Sequence, residues 1–241
     1  IDADCVIQRD TLSFVNKAFE EDGDKVIGGT YTKIPFDDSF FSAFQSIFIN
    51  YLETKKKEPD YIAAHALVIS PDIFKKSGGF PEDFFLPIIE DVEFSHRLRR
   101  MGYKLIMYPG ILVSHIFNFT LIKSLKNAFR KSKYWTIYSL RNKDVMADSG
   151  TASVELKINV AACFLNMLFL LSSVLTKEIR ILFVIPLILA FNIYSNRRLF
   201  SAFHAAKGPS FSISAALYYM LIYPVAVGAG AIVAIMRRRK Y

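Results

Sequence analysis

Asp2-Ala3-Asp4 sets two carboxylates two positions apart. On an extended segment, side chains at i and i+2 point alike, so both acids would share one side. Hard oxygen ligands of this kind suit Mg²⁺ or Mn²⁺, and such an ion would neutralise a departing diphosphate. A solvated surface turn accounts for the same tripeptide. A second acidic pair, Glu90-Asp91, stands where a helix is expected to begin. Acids in a first turn complement the helix dipole. They also suit a general base at the mouth of a site, with Pro87, Ile88 and Ile89 partly desolvating the pair. Gly78-Gly79-Phe80-Pro81 reads as a tight turn followed by a ring. It is either a helix C-cap with a packed Phe or a place where backbone closely approaches a ligand.

The surrounding pattern supplies the elements that would hold these residues. Ile1–Val6 is expected to end a strand and run into a loop. Leu12, Val15, Ala18 and Phe19 give Thr11–Glu20 a helical spacing, capped by Asp10 or Thr11 and stopped at Asp22-Gly23-Asp24. Lys25–Tyr31 predicts a strand, Phe36–Leu52 a helix and Tyr61–Ile69 a strand. Ser70-Pro71 opens a short helix over Asp72–Ser77, and Gly78-Gly79 closes it. Glu90–Met101 predicts a helix ended by Gly102. Tyr103–Tyr108 and Ile111–His115 predict two strands around a Pro109-Gly110 turn. Alternating strands and helices predict an α/β domain.

Order and spacing together resemble glycosyltransferase family 2. The pattern runs Asp2-Ala3-Asp4, Gly28-Gly29, Gly78-Gly79-Phe80, Glu90-Asp91-Val92-Glu93, Arg97-Leu98 and Gly102-Tyr103-Lys104-Leu105. It covers about residues 1–118, and Glu90–Leu105 is its most specific part. The resemblance implies a partial GT-A (Rossmann-like) domain. It also implies inverting transfer of a sugar from a nucleotide-sugar donor to a lipid-linked or glycan acceptor. On this likeness Asp2 and Asp4 are the metal and diphosphate motif, and a divalent metal, Mg²⁺ or Mn²⁺, is the cofactor. His115 is similar to a late His that faces the metal or diphosphate. Asp91 is the base, with Glu90 beside it, and Gly79, Phe80 and Arg97 lie on the substrate side. The sequence also departs from the pattern. The nucleotide-binding strands that precede Asp-x-Asp in the family have no counterpart here, and the chain opens at Ile1. The expectation is the C-terminal part of an enzyme, inactive alone. The Gln-x-x-Arg-Trp motif of processive synthases is replaced by Lys131-Ser132-Lys133-Tyr134-Trp135, which matches only the Trp. His65 stands where many relatives have Asn.

Composition points to a membrane. The 241 residues carry a net charge of +8 and are 52% hydrophobic, with two cysteines too far apart in sequence to suggest a metal motif. Between Phe117 and Lys143, seven basic residues interleave with aromatic and aliphatic ones, as in an interfacial amphipathic helix on an anionic surface. That surface would also gather an anionic lipid acceptor, and nucleic acid is the less favoured partner. Ile158–Leu175, Ile181–Asn196 and Gly208–Met236 hold no charged residue, and each approaches or exceeds the length of a membrane span. The expected organisation is a catalytic part over 1–118, a basic segment over 119–157 and transmembrane helices over 158–241. Leu199–Lys207 would lie on the surface, and Pro224, Gly228 and Gly230 would bend the third stretch. The catalytic part would face the cytoplasm at the inner membrane. Two rival functions are a processive polysaccharide synthase and a membrane transporter or scaffold with a basic cytoplasmic domain.

Overall fold

The computed structural model describes residues 1–81, 88–145, 147–148 and 150–237. Pro87, expected to shield the acidic pair, lies outside them. The chain forms two compact units, residues 1–124 with 149–151, and residues 125–148 with 152–241.

The first unit is built on a small mixed sheet of β1 (Cys5–Ile7), β2 (Val26–Tyr31), β3 (Leu67–Val68) and β4 (Leu105–His115), in the order β1-β4-β2-β3. β2 and β4 are parallel, while β1 on β4 and β3 on β2 are antiparallel. Helices α1 (Thr11–Asp22), α2 (Phe40–Glu53), α3 (Pro71–Lys76) and α4 (Glu90–Arg100) accompany it. Successive strand residues face opposite ways, and β2 uses both sides. Val26 packs with Ile62, Ile73, Phe94 and Leu98, residues of α3, α4 and the loop before them, while Ile27 packs with Ala18 of α1 and Ile111. Among the described residues the α/β part is this sheet and its helices, not a complete Rossmann-like sheet.

Four expectations are corrected. β4 is one strand through Pro109-Gly110, not two strands around a turn. Its pairing with β2 shifts register between Gly28 and Thr30, and an irregularity is where a strand tolerates proline. α1 covers that stretch: a Cβ on Gly110 would meet the Phe14 ring at 2.9 Å, and the Tyr108 hydroxyl donates to Asp22 and Glu21. The Tyr61–Ile69 segment is mostly loop, with a 3₁₀ turn at Ala64–Ala66, and only Leu67–Val68 is strand. The Ile62 backbone is engaged elsewhere: Ser95 Oγ of α4 accepts from its N–H at 3.0 Å and donates to its carbonyl at 3.2 Å. α2 starts at Phe40 because Ser39 is its N-cap, accepting from Ser42 N–H. The first strand spans Cys5–Ile7, preceded by a turn.

In the second unit α5 (Leu121–Asn142), whose first residues belong to the first unit, is followed by α6 (Val154–Thr176), α7 (Val184–Leu217) and α8 (Tyr223–Met236). Two helical stretches, Val154–Thr176 and Ile179–Met236, are long and apolar enough to cross a membrane, each with mean hydropathy 2.0. Only 17% of the first window is buried, unlike a core helix of a soluble protein, and Leu168, Leu171, Val174 and Leu175 stand exposed. Leu199–Lys207 is not a separate surface segment; it continues α7. The break falls at Gly208, whose φ of 80° only glycine adopts freely, with Pro209 restarting the helix. Beyond it the chain folds back: Ser212 Oγ donates to the Phe200 carbonyl at 3.0 Å, and the Tyr219 hydroxyl donates to Asn196 Oδ1 at 3.0 Å. Asn196 passes a hydrogen bond to Asn192 Oδ1, Asn192 to Asn159 Oδ1, and Asn159 to the Tyr219 carbonyl, in the π-helical turn Tyr218–Ile222. This closed ring is fully buried, and its polar groups satisfy one another. Gly230 lets the helix carrying it meet the Phe129 carbonyl of α5, and Ser132 Oγ donates to the Val227 carbonyl at 2.7 Å.

Candidate functional site

The backbone of Asp2-Ala3-Asp4 closes on itself, with Cys5 N–H donating to the Asp2 carbonyl at 3.1 Å. The tripeptide is therefore a turn, and the extended geometry that would align both carboxylates does not hold. Asp4 nonetheless meets His115. β1 pairs antiparallel with the end of β4, with Cys5 opposite His115, and Ile116 N–H donates to the Asp4 carbonyl at 2.9 Å. Asp4 Oδ2 then lies 3.4 Å from His115 Nε2. Ligand atoms of Asp4, Cys5 and His115 all lie within 4.8 Å of one another. Asp2 is exposed and outside that cluster. Sequence reasoning named Asp4 and His115 but passed over Cys5; the signal was available only through strand register.

His115 is held on several sides. Its ring stacks on Phe117, with centroids 4.0 Å apart, and meets Tyr31 edge-on at 5.1 Å. Asp37 fixes the chain just beyond, accepting from Phe117 N–H at 2.8 Å and from Asn118 N–H at 2.9 Å. Tyr31 in turn stacks on His65 at 3.9 Å. His65 Nε2 lies 3.3 Å from Glu53 Oε2, without hydrogen-bond alignment, and Thr30 Oγ1 donates to the same carboxylate at 2.7 Å. Glu53 and His65 are both buried. Neither Tyr31 nor Glu53 stood out in the sequence, since a Tyr ending a strand and a Glu ending an apolar helix look ordinary.

The acidic pair opens α4. Glu90 and Asp91 are half-buried, and Asp91 Oδ1 accepts from Val92 N–H at 2.8 Å, inside the first turn. Tyr61 connects the two regions electrostatically. Burial holds its hydroxyl neutral far into alkaline pH, and the charges of Glu53 and Asp91 add to that effect. Burial likewise raises Tyr31, reinforced by Glu53, Cys5, Asp2 and Asp4. Glu53 is the acid that bears on both buried phenols. Cys5 is pushed up to about 12, first by burial and then by Asp2 and Asp4, so without a metal it is a neutral thiol.

Gly79, Phe80 and Arg97 form a packed corner. Gly78 and Gly79 have φ of 79° and 66° and end α3 as a C-cap, with Gly79 N–H donating to the Phe74 carbonyl. A Cβ on Gly79 would meet the Phe74 ring at 3.1 Å. Phe80 packs with Phe74 and Phe94. Arg97 donates to the carbonyls of Ser77 and Gly79, both at 2.5 Å, pairs with Glu93 at 3.4 Å and lies over Phe94. These contacts join α3 to α4 and occupy much of the guanidinium.

The donor set fits a divalent ion in part. One exposed carboxylate and one largely buried imidazole meet, with a thiol as the third group within reach. Compared with known proteins, the chain matches no family model and no curated protein.

Proposed function

We propose that the protein is a membrane-anchored, inverting, metal-dependent glycosyltransferase of family 2, moving a sugar from a nucleotide-sugar to a membrane-linked acceptor. The acceptor class is a glycolipid, a polyprenyl phosphate or a surface-polysaccharide precursor. The observation that carries the reading is the meeting of Asp4 and His115 at 3.4 Å, from the first strand's edge and the last strand's end. A divalent ion at that pair supplies charge neutralisation for a leaving diphosphate.

In this reading Asp4 and His115 would hold the ion, and Asp2 stays outside that cluster. The acceptor oxygen attacks the anomeric carbon as the bond to the diphosphate oxygen breaks, and the electron pair leaves with the diphosphate. Asp91 takes the proton of a hydroxyl acceptor, with Glu90 beside it raising the local negative charge. Gly79 and Phe80, fixed by Arg97, form the wall on the substrate side. The two apolar helical stretches hold the protein in the inner membrane with the catalytic part in the cytoplasm. Lys123, Lys126 and Arg130, exposed along α5, face anionic headgroups.

The test is a donor screen on the native, membrane-embedded protein, reading released nucleoside diphosphate with Mn²⁺ or Mg²⁺. The expected result is turnover of one donor class that stops with chelator and in Asp4→Ala. Turnover of no donor, or turnover indifferent to chelator and to Asp4→Ala, would contradict the reading.

A further inference from the structure

We infer that Asp4, Cys5 and His115 form a thiol-containing metal site that holds a borderline dication, Zn²⁺ or Co²⁺, more tightly than Mg²⁺ or Mn²⁺. The inference deepens the metal part of the proposed function, yet it stands on three side chains and needs no glycosyl transfer.

The geometry starts from the register of β1 on β4. Cys5 and His115 are directly paired across antiparallel strands, so their side chains leave the same face with Cβ atoms about 5 Å apart. Asp4 turns its carboxylate to His115 Nε2, and the three ligand atoms fall within 4.8 Å. Ligands of a four-coordinate Zn²⁺, at about 2.0–2.3 Å from the metal, lie about 3.3–3.8 Å apart, so Asp4 and His115 already stand at ligand spacing and the Cys5 sulfur would draw in by about 1 Å. The imidazole plane is already set by Phe117 and Tyr31. The Asp4 side chain is 57% exposed, which leaves a path for the ion and an open position for water or a phosphate oxygen.

Chemistry then chooses the ion. Mg²⁺ asks for six oxygens in octahedral array and gains little from sulfur or nitrogen. One carboxylate, one imidazole and one thiolate are the donor mixture of Zn²⁺ and Co²⁺ sites. As the metal–sulfur bond forms, the thiol proton leaves to solvent, and the dication stabilises the thiolate left behind. The disagreement with a hard-ion motif rests on this chain's own residues: the third ligand atom within reach of Asp4 and His115 is the Cys5 sulfur, not an oxygen of Asp2.

The experiment is a Co²⁺ titration of the native protein, stripped with chelator and solubilised in detergent, followed by absorbance. The expected result is a near-ultraviolet sulfur-to-cobalt charge-transfer band that persists in Cys163→Ser and disappears in Cys5→Ser. Zn²⁺ should bleach the band at a concentration about tenfold or more below that needed with Mn²⁺. A second measurement needs no variant: Zn²⁺ should protect Cys5 of the wild-type protein from iodoacetamide, read by mass spectrometry, and Mg²⁺ should not. Cobalt uptake without the band, no uptake, a band that survives Cys5→Ser or is lost in Cys163→Ser, or equal competition by Mn²⁺ would each overturn the inference. So would equal alkylation of Cys5 with and without Zn²⁺. Failure here leaves Mn²⁺-dependent turnover to stand, and failure of the donor screen leaves the cobalt band to stand.

Discussion

Arg97→Met retains an unbranched apolar stem and removes the guanidinium. The wild-type side chain donates one charge-assisted hydrogen bond to the Ser77 carbonyl and another to the Gly79 carbonyl, and both of these residues are buried. Such bonds contribute about 1.5–3 kcal/mol each, and both carbonyls would lose their guanidinium partner. The stacking over Phe94 adds about 0.5–1 kcal/mol. Allowing for relaxation of the α3–α4 corner, the expected loss is about 3 kcal/mol. For a chain of this size that lowers the melting temperature by about 10 °C. Calorimetry of the solubilised protein reads the shift, and hydrogen exchange should show faster opening at the end of α3. A melting temperature within a degree or two of wild type, together with a raised KM for donor, would refute the clamp and make Arg97 a substrate contact instead.

Three further outcomes are expected. The native protein stays with membranes after a high-salt wash, because screening within about 10 Å at 0.1 M salt weakens basic surface contacts but not buried spans; release by salt would show that α6 and α7 do not cross. Asn196→Leu breaks the ring of Asn159, Asn192 and Tyr219 and costs about 1–2 kcal/mol, measured by unfolding in mixed detergent micelles; an unchanged midpoint would mean that the ring adds nothing. In the chelated protein, alkylation of Cys5 should still be accelerating at pH 10, past the range where an ordinary thiol of pKa about 8.5 has levelled. The sign follows from a raised pKa: the folded state keeps the proton, so the thiolate appears only as pH approaches about 12. A plateau below pH 10 would contradict that burial.

Local signals in the sequence were strong where one element satisfies its own needs. Ser70-Pro71 and Gly78-Gly79 bracket α3 because a cap and a left-handed stop are chemical requirements of any helix end. The α1 and α4 spacings were legible for the same reason, and the charge-free stretches marked the apolar helices. What escaped depends on partners distant in sequence. Pro109-Gly110 looked like a turn, but α1 and the shifted register with β2 carry β4 through it. Tyr61–Ala63 looked like strand, but Ser95 of α4 takes the Ile62 backbone. Asp4 and His115, which the fold brings together, were legible as residue types. The placement of Cys5 beside His115 needed the β1–β4 register, and the Glu53–His65 pair needed the return of the 3₁₀ turn against α2. Gly208 sat at the edge of an apolar stretch, where its reversal of α7 has no local signature stronger than the following Pro209.

The central claim is that the acidic start of α4 performs transfer chemistry rather than merely capping a helix. Asp91→Asn in the native, membrane-embedded protein tests it most directly, because the side chain keeps its shape and its acceptor oxygen for Val92 N–H while losing its basicity. With a hydroxyl acceptor, turnover should fall by roughly 10²–10⁴-fold. Donor affinity and melting temperature should stay close to wild type. Near-normal turnover with a hydroxyl acceptor would contradict the account and return Asp91 to the role of a helix cap.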